Sequence, residues 1–233
     1  MTAPVIELRN VTKSFRTPGG GRKHVLRNAC FAIPPRKIVG VLGRNGAGKS
    51  TTLRVIAGTQ DFDSGEIIRR GSVSWPVGFA GSFHGELSGA QNTRFIARVY
   101  GVDTDDLLEF VREFSELGPY LDMPCKTYSS GMRARLAFGI SMGVPFDIYL
   151  MDEVTSVGDA SFRQKCSEML THRLSMSGAL FVSHSHKAIS EICDSAIVLE
   201  NGVGQFFDNV EEALCRHEEN MRAPRHKTAG WGE

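Results

Sequence analysis

Hydrophobic residues follow two different periods along this chain, and each period predicts a type of element. Residues 5–15 alternate between apolar and polar side chains, which predicts a strand with one buried face. Residues 37–43 and 146–153 contain short, continuous apolar runs, which are typical of strands buried on both faces of a sheet. The pattern therefore predicts a sheet whose central strands lie inside the protein.

Helical spacing dominates the middle of the chain. Residues 92–100, 105–117 and 131–142 each carry apolar side chains at i, i+3 and i+4, which predicts three amphipathic helices. Strands that alternate with helices are typical of an α/β protein with a parallel sheet, so the helical middle is predicted to be an insertion. The elements predicted after it are a helix at 161–174, a strand at 178–185, a helix at 187–194 and a strand at 195–202.

Length, composition and charge are those of a globular protein with one large domain. The 233 residues are 41% hydrophobic and 23% charged, which is sufficient for a packed core. The formal net charge of +1 gives no reason to expect nucleic acid or a lipid surface as a partner. No apolar run reaches the ~20 residues of a membrane-spanning helix, so action at a membrane would require another subunit. The N-terminus predicts no signal peptide, and five scattered cysteines predict reduced thiols in a cytosolic protein.

A phosphate-binding pattern, G-x-x-x-x-G-K-S/T, lies between a predicted buried strand and a predicted helix. Glycines allow several backbone N–H groups to point at phosphate oxygens, and the dipole of the following helix adds to the attraction. We expect Lys49 to reach the β- and γ-phosphates, Ser50 to bind Mg²⁺ and Thr51 to support the α-phosphate. The alternative is a glycine-rich turn with an incidental lysine. The residues predicted to surround the phosphates are Gly43, Arg44, Asn45, Gly46, Ala47, Gly48, Lys49, Ser50 and Thr51.

Two acids follow the apolar run at residues 146–151. Ligands of α/β sheets bind at the carboxyl ends of the strands, so Asp152 is predicted to hold Mg²⁺ there. Glu153 could polarise an attacking water as a general base. The alternative is that both acids only end a strand. Together with the phosphate-binding pattern they predict a P-loop NTPase, and they leave open a kinase, a GTPase, a motor or a transporter subunit.

The order of the remaining motifs resembles the ATP-binding cassette (ABC) family from about residue 6 to residue 213. A Ser-Gly turn opens a helix at residues 129–131, the acids follow, and a lone histidine comes after the next strand. This resemblance implies an α/β fold with a RecA-like core, an antiparallel β subdomain and an α-helical insertion. It implies an ABC domain at residues 1–216, with the helical subdomain at about 85–145. Residues 217–233 are polar and are expected to form a frayed tail.

The resemblance also implies roles for single residues. Ser130 and Gly131 match the family's signature turn, which faces the ATP bound by a second subunit, so a homodimer with two shared ATP sites is expected. Phe15 matches the aromatic residue that stacks on adenine, and Asp159 matches an acid of the loop after the catalytic glutamate. His184 matches the histidine that contacts the γ-phosphate and orients water. The alternatives are an ordinary serine-capped helix, a core aromatic residue and a structural histidine.

One family motif has no clear counterpart here. ABC proteins carry a glutamine, after the strand that follows the first helix, that contacts Mg²⁺ and couples to the membrane subunit. The corresponding segment, residues 75–92, holds no glutamine before Gln91, and His84 is the candidate for its place. A histidine there would make the metal contact dependent on pH or remove it.

Three blocks of sequence narrow the resemblance to the ATPase subunits of bacterial polysaccharide exporters. They cover the signature turn at residues 128–142, the segment at 74–101 and the segment at 154–162. This implies hydrolysis of ATP with Mg²⁺, and binding to a separate membrane-spanning permease through residues 84–98. The expected location is the cytoplasmic face of the inner membrane, with no nucleic acid bound. Because the chain ends about twenty residues after the cassette, a capsule exporter is favoured over one with a glycan-binding domain. A soluble ABC ATPase acting on nucleic acid, and an exporter of another cargo such as a lipid or a drug, remain as alternatives.

Overall fold

The computed structural model describes residues 3–18, 20–78, 83–152 and 158–222. It contains two compact units, which are discontinuous in sequence. The first comprises Met1–Val73, Asp147–Glu153 and Ser177–Glu233, and the second comprises Ser74–Phe146 and Val154–Met176.

Strands and helices alternate through most of the described chain. The strands are β1 (Ile6–Arg16), β2 (Arg22–Ile33), β3 (Ile38–Leu42), β4 (Ser64–Arg69), β5 (Val73–Pro76), β6 (Ile148–Asp152), β7 (Gly178–Val182), β8 (Ser195–Glu200) and β9 (Val203–Phe207). The helices are α1 (Lys49–Ala57), α2 (Gly89–Tyr100), α3 (Thr104–Ser115), α4 (Ser130–Gly143), α5 (Ala160–Leu174), α6 (His186–Ile192) and α7 (Val210–Arg222). The predicted helices at 92–100, 105–117 and 131–142 are confirmed as α2, α3 and α4.

The first unit contains strands of two kinds. β1 pairs antiparallel with both β2 and β4, and this three-stranded sheet is the expected antiparallel subdomain. Within this unit, the second sheet has the strand order β6-β7-β3-β8-β9, and among these strands only β9 runs antiparallel to its neighbour. All five residues of β7 are buried, which fits a strand covered on both faces.

One hydrophobic core joins the two sheets of the first unit. Ile6 and Leu26 from the antiparallel sheet, Val39 and Leu180 from the parallel sheet, and Leu53 from α1 are all fully buried in it. This core fixes β3 and α1 firmly in place. The loop between them, which carries the phosphate-binding pattern, is therefore held at both ends.

The second unit is mainly helical, and its helices pack closely. α2 begins with a capping box, in which the Ser88 hydroxyl accepts from the Gln91 N–H and the Gln91 side chain accepts from the Ser88 N–H. Gly143 lies where α4 meets α3, and a Cβ there would stand 2.3 Å from Leu107 Cδ1. The close contact of these two helices therefore depends on a residue without a side chain.

The C-terminal segment departs from the expectation of a frayed tail beginning at residue 217. Helix α7 continues to Arg222, and His217 is buried in it. The apolar positions Val210, Ala213 and Leu214, together with His217, form one buried stripe, so polar composition alone misplaced the boundary. Residues 223–233 lie outside the described part of the chain.

Within the described residues, every helix is too short or too polar to cross a bilayer.

Candidate functional site

The loop between β3 and α1 is built on glycines, two of which, Gly43 and Gly48, have no room for a side chain. Gly46 and Gly48 have φ angles of 78° and 105°, in the left-handed region that favours glycine. A Cβ on Gly48 would stand 2.1 Å from Val25 Cγ1, so the loop packs directly against β2. This close packing holds the backbone curl that the phosphate-binding pattern predicts.

Lys49 lies at the first position of α1 with its ammonium group turned back into the loop. The side chain is buried, and Nζ donates hydrogen bonds to the carbonyl oxygens of Gly43 at 2.8 Å and Arg44 at 3.3 Å. The positive charge is therefore held beside the helix N-terminus, where the helix dipole also attracts anions.

A cleft of about 430 Å³ opens over this loop. It brings together many residues that the sequence predicted for the nucleotide site, from the loop, α1, β1 and the ends of β6 and β7. It also contains three residues that the sequence reasoning missed, namely Lys23, Val25 and Val182. The predicted residues in the lining are Phe15, Asn45, Gly46, Gly48, Lys49, Ser50, Thr51, Asp152 and His184.

The oxygen ligands expected for a magnesium ion lie on the walls of the same cleft. Asp152 ends β6 and is paired with Val182 at the end of β7, so it stands at the carboxyl edge of the parallel sheet. Ser50 lies in the first turn of α1. A hydroxyl and a carboxylate facing one cleft are a donor set that suits Mg²⁺. Glu153, the predicted general base, lies outside the described residues.

Phe15 lies at the mouth of the cleft and is not part of the core. It is 41% exposed, and the ammonium nitrogen of Lys13 lies 5.0 Å from its ring centroid. An exposed aromatic face beside a phosphate-binding loop is available for stacking on a planar base.

Three residues predicted to surround the phosphates are absent from the lining of the cleft: Gly43, Arg44 and Ala47. Gly43 is buried, and a Cβ there would lie 2.6 Å from the carbonyl oxygen of Leu199. Arg44 Nη1 donates a hydrogen bond of 3.0 Å to the carbonyl oxygen of Asn220 on α7. Gly43 therefore supports the loop, and the Arg44 side chain joins it to the C-terminal helix.

The predicted signature turn lies in the second unit, at the N-terminus of α4. Ser129 is the N-cap residue, and its hydroxyl accepts from the Met132 N–H at 3.2 Å. Ser130 and Gly131 are the first helical residues and are exposed. The capping role thus belongs to Ser129, and the hydroxyl of Ser130 is not used for it.

Tyr128 anchors this turn, and the sequence reasoning missed it. Its ring is buried, its hydroxyl donates to the Tyr120 carbonyl oxygen at 2.6 Å and accepts from the Gly89 N–H at 3.3 Å. Burial raises the pKa of Tyr128 to about 12, so the hydroxyl keeps its proton. The buried tyrosine immediately before a serine cap holds the start of α4 in place.

Asp159 has local partners in the second unit. It is the N-cap residue of α5, and Oδ1 accepts from the Phe162 N–H at 2.9 Å. Oδ2 accepts from Arg135 Nη2 on α4 at 2.8 Å. The hydrogen bond from Phe162, and then the charge of Arg135, hold the pKa of this carboxyl below its usual value. Asp159 thus joins α5 to α4.

His84 is exposed and lies in a turn of the second unit. The backbone N–H of His84 donates to Asn92 Oδ1 at 3.0 Å, and the side-chain Nδ2 of Asn92 donates to the backbone carbonyl oxygen of His84 at 3.2 Å. The buried Asn92 therefore fixes the backbone at this position. It leaves the imidazole of His84 without a defined role.

The fold and the phosphate-binding cleft define a class of nucleotide-binding protein, and comparison with known families agrees. The model of the family described as ABC transporter matches residues 26–156. This chain belongs to the ABC transporter family, as the motif order predicted. A solved structure of a dimeric ATP-binding cassette with ADP and phosphate superposes with a TM-score of 0.70 at 20% identity. It covers 86% of this chain and 96% of that one, and it confirms the fold.

The chain is also similar over almost its whole length to particular transport proteins. It is 49% identical to the polysialic acid transport ATP-binding protein KpsT of Escherichia coli, over 93% of this chain and 100% of that protein. It is 47% identical to the capsule polysaccharide export ATP-binding protein CtrD of Neisseria meningitidis serogroup B, over 90% of this chain and 96% of that protein.

Proposed function

We propose that this chain is the ATP-hydrolysing subunit of an exporter that moves capsular or a related lipid-linked polysaccharide across the bacterial inner membrane. The cargo is assigned from one observation: this chain is 49% identical to a polysialic acid transport ATP-binding protein, over the full length of that relative. The alternative is an ABC exporter of another cargo, namely O-antigen, teichoic acid, a lipid or a drug.

The cleft of the first unit supports binding of the nucleotide. The loop N–H groups and Lys49 would hold the phosphates, Phe15 would stack on adenine, and Ser50 and Asp152 would hold Mg²⁺. The metal would neutralise phosphate charge during hydrolysis. Glu153 would accept a proton from the attacking water, and His184, in the same cleft, would orient that water.

A homodimer would complete each site. Ser130 and Gly131 begin a helix of 14 residues and are exposed, so their donor groups and the helix dipole can face an anion on a second copy. The hydrogen bond from Arg135 to Asp159 ties this helix to the start of α5. We infer a two-fold arrangement in which each copy contributes its phosphate loop to one ATP and the start of α4 to the other.

The helical unit would bind the permease, through the segment around residues 84–98, at the cytoplasmic face of the membrane. Phe95 and Val99 on α2 are each 58% exposed, and Arg94 and Arg98 lie beside them on the same helix. Large apolar side chains on an exposed helix face are typical of a protein interface. We assign the ABC domain to residues 1–216, extended by α7 to Arg222, and the helical insertion to about residues 85–145.

The test is a deletion of the gene in its host, with comparison of surface and intracellular polysaccharide. Export predicts that glycan disappears from the surface, accumulates inside, and returns to the surface with the wild-type gene but not with Lys49→Ala. Unchanged surface glycan after deletion would reject the polysaccharide cargo. If the purified protein then still hydrolyses ATP, and the Lys49→Ala variant does not, an exporter of another cargo becomes the favoured function.

A further inference from the structure

Helix α7 contacts the phosphate loop. None of the family motifs found in this sequence includes this contact. Arg44, the second residue of the loop, donates from Nη1 to the carbonyl oxygen of Asn220 at 3.0 Å. Asn220 lies in the last turn of α7, where carbonyl groups are unpaired and the helix dipole is negative. A guanidinium at that position satisfies one of these carbonyls and ties the loop to the helix.

One turn earlier on α7, His217 is buried and packs against the segment that follows His184. Its ring lies 5.5 Å from the ring of His186, in a T-shaped arrangement, and Glu218 Oε1 lies 3.8 Å from His186 Nδ1. His186 is the first residue of α6, and the hydroxyl of Ser185 caps that helix by accepting from the Ala188 N–H. The α7 helix therefore contacts both the phosphate loop and the start of α6, two residues after His184.

The charges around His217 favour its neutral form. Burial lowers its pKa first, and the neighbouring His186 of α6, Lys49 of α1 and Arg44 of the loop lower it further, while Glu218 raises it. The Nδ1 atom of His217 has no hydrogen-bond partner among the described residues. The ring thus serves as an aromatic spacer between α7 and α6.

We propose that α7 is a positioning element of the nucleotide site: Arg44 ties the phosphate loop to the last turn of α7, and His217 holds α7 against the start of α6. This inference rests on the proposed function, because it assigns a role at the same ATP site. His217 does not line the cleft, so any effect of its substitution on ATP must pass through α7 and the Arg44–Asn220 hydrogen bond.

The first experiment replaces His217 and measures KM and kcat for ATP hydrolysis. His217→Ala leaves a cavity between α7 and α6 and should loosen α7, raising KM about fivefold, the equivalent of losing the Arg44–Asn220 hydrogen bond. His217→Phe keeps an aromatic ring in the same volume and should restore KM to within about twofold of the wild type. A merely structural histidine would lower Tm in the Ala variant and leave KM of the folded enzyme unchanged, which would overturn the proposal.

Arg44→Met supplies the second arm. If Arg44 and His217 act together, the double variant with His217→Ala should raise KM by clearly less than the product of the two single effects. Independent, multiplicative effects would overturn the pairing. The matched control is Arg216→Gln, an exposed position on the same helix whose guanidinium pairs only with Glu219 at 3.3 Å among the described residues, and its KM should not change.

If the His217 variants do not fold, hydrogen exchange measured on the wild-type protein tests the same inference. Adding ATP should slow exchange at the amides of α7 as well as at residues 43–51, because the two are joined. Protection confined to the loop would contradict the inference. Lys49→Ala separates this inference from the proposed function. If ATP does not slow exchange at the loop amides of the wild type, and if Lys49→Ala does not lower the ATPase rate, the ATP site itself is rejected.

Discussion

At the scale of single residues, the phosphate loop depends on what its backbone touches as much as on what it binds. Gly48 has a φ of 105°, and the place of its missing Cβ is filled by Val25 of β2. The pattern of the sequence identifies the glycine. Only the packing shows that the antiparallel sheet is the reason for it.

Gly48→Ala should therefore destabilise the protein strongly. The left-handed backbone and the overlap with Val25 together should cost about 2–4 kcal/mol in the free energy of unfolding by urea. Gly20→Ala is the matched control, because Gly20 also has a positive φ of 81° but has open space around it. It should cost about 1 kcal/mol. Equal losses for the two variants would show that the contact with Val25 does not matter.

Lys23 is a residue whose role only the folded chain reveals. It is exposed, lines the cleft, and its Nζ lies 3.6 Å from the place a Cβ on Gly46 would occupy, which sets a second ammonium over the phosphate loop. Lys23→Met should raise KM for ATP about fivefold with a smaller change in kcat, since it removes attraction for the bound nucleotide generally.

Lys37→Met is the control for this effect, because Lys37 is an exposed lysine that does not line the cleft. The two variants remove the same charge from the same unit. A similar rise in KM for both would mean that overall charge, and not the position of Lys23, attracts ATP.

At the scale of elements, one arginine joins three parts of the helical unit. Arg135 on α4 donates to Glu116 Oε2 at 3.0 Å, just after α3, and to Asp159 at the start of α5. Its guanidinium carbon also lies 4.2 Å from the ring centroid of Phe162. The N-terminal half of α4, which carries the predicted signature turn, is thus tied to both neighbouring helices.

Arg135→Leu should lower the free energy of unfolding by about 1–2 kcal/mol, since two charge-assisted hydrogen bonds are lost but both carboxylates remain in contact with water. Arg112→Leu removes a single exposed pair with Asp122 at 3.3 Å. It should change stability by about 0.5 kcal/mol or less. Urea denaturation of both variants decides the matter, and equal small effects would show that the Arg135 network contributes little.

Prediction of elements from the sequence succeeded for strands with continuous apolar runs and for helices with clear apolar spacing, and it failed for strands that are mostly exposed or half-buried. The amphipathic helices and the buried strands were predicted correctly, but β4, β5 and β9 were not. β9 follows β8 through Asn201 and Gly202, whose φ angles of 50° and 82° form a two-residue hairpin turn. That Asn-Gly pair was the available signal for a hairpin.

At the scale of the whole molecule, the proposed ATP site requires two copies of the chain. Each copy would supply a phosphate loop from its first unit and the start of α4 from its second unit. Binding of ATP between two copies would close the dimer, and hydrolysis would reopen it.

Glu153→Gln tests this closure. The variant keeps the shape of the side chain but cannot accept a proton, so it should bind ATP, hydrolyse it at least about a hundredfold more slowly, and accumulate as a dimer. Size-exclusion chromatography with and without ATP measures the dimer, and Lys49→Ala should remain monomeric under the same conditions. Turnover at the wild-type rate would exclude Glu153 as the general base.

The family, the α/β class and the two motifs of the phosphate site can all be recognised from local sequence. These features depend on local spacing, such as the glycines and Lys49 around one turn, or Asp152 at the end of one apolar run. The residues that surround these motifs are known only from the folded chain. Lys23 and Val25 reach the loop because β2 packs beside it, and Arg44 meets Asn220 across 176 positions of the chain. Contacts of this kind depend on the order of the strands and on the packing of helices, which local periodicity does not encode.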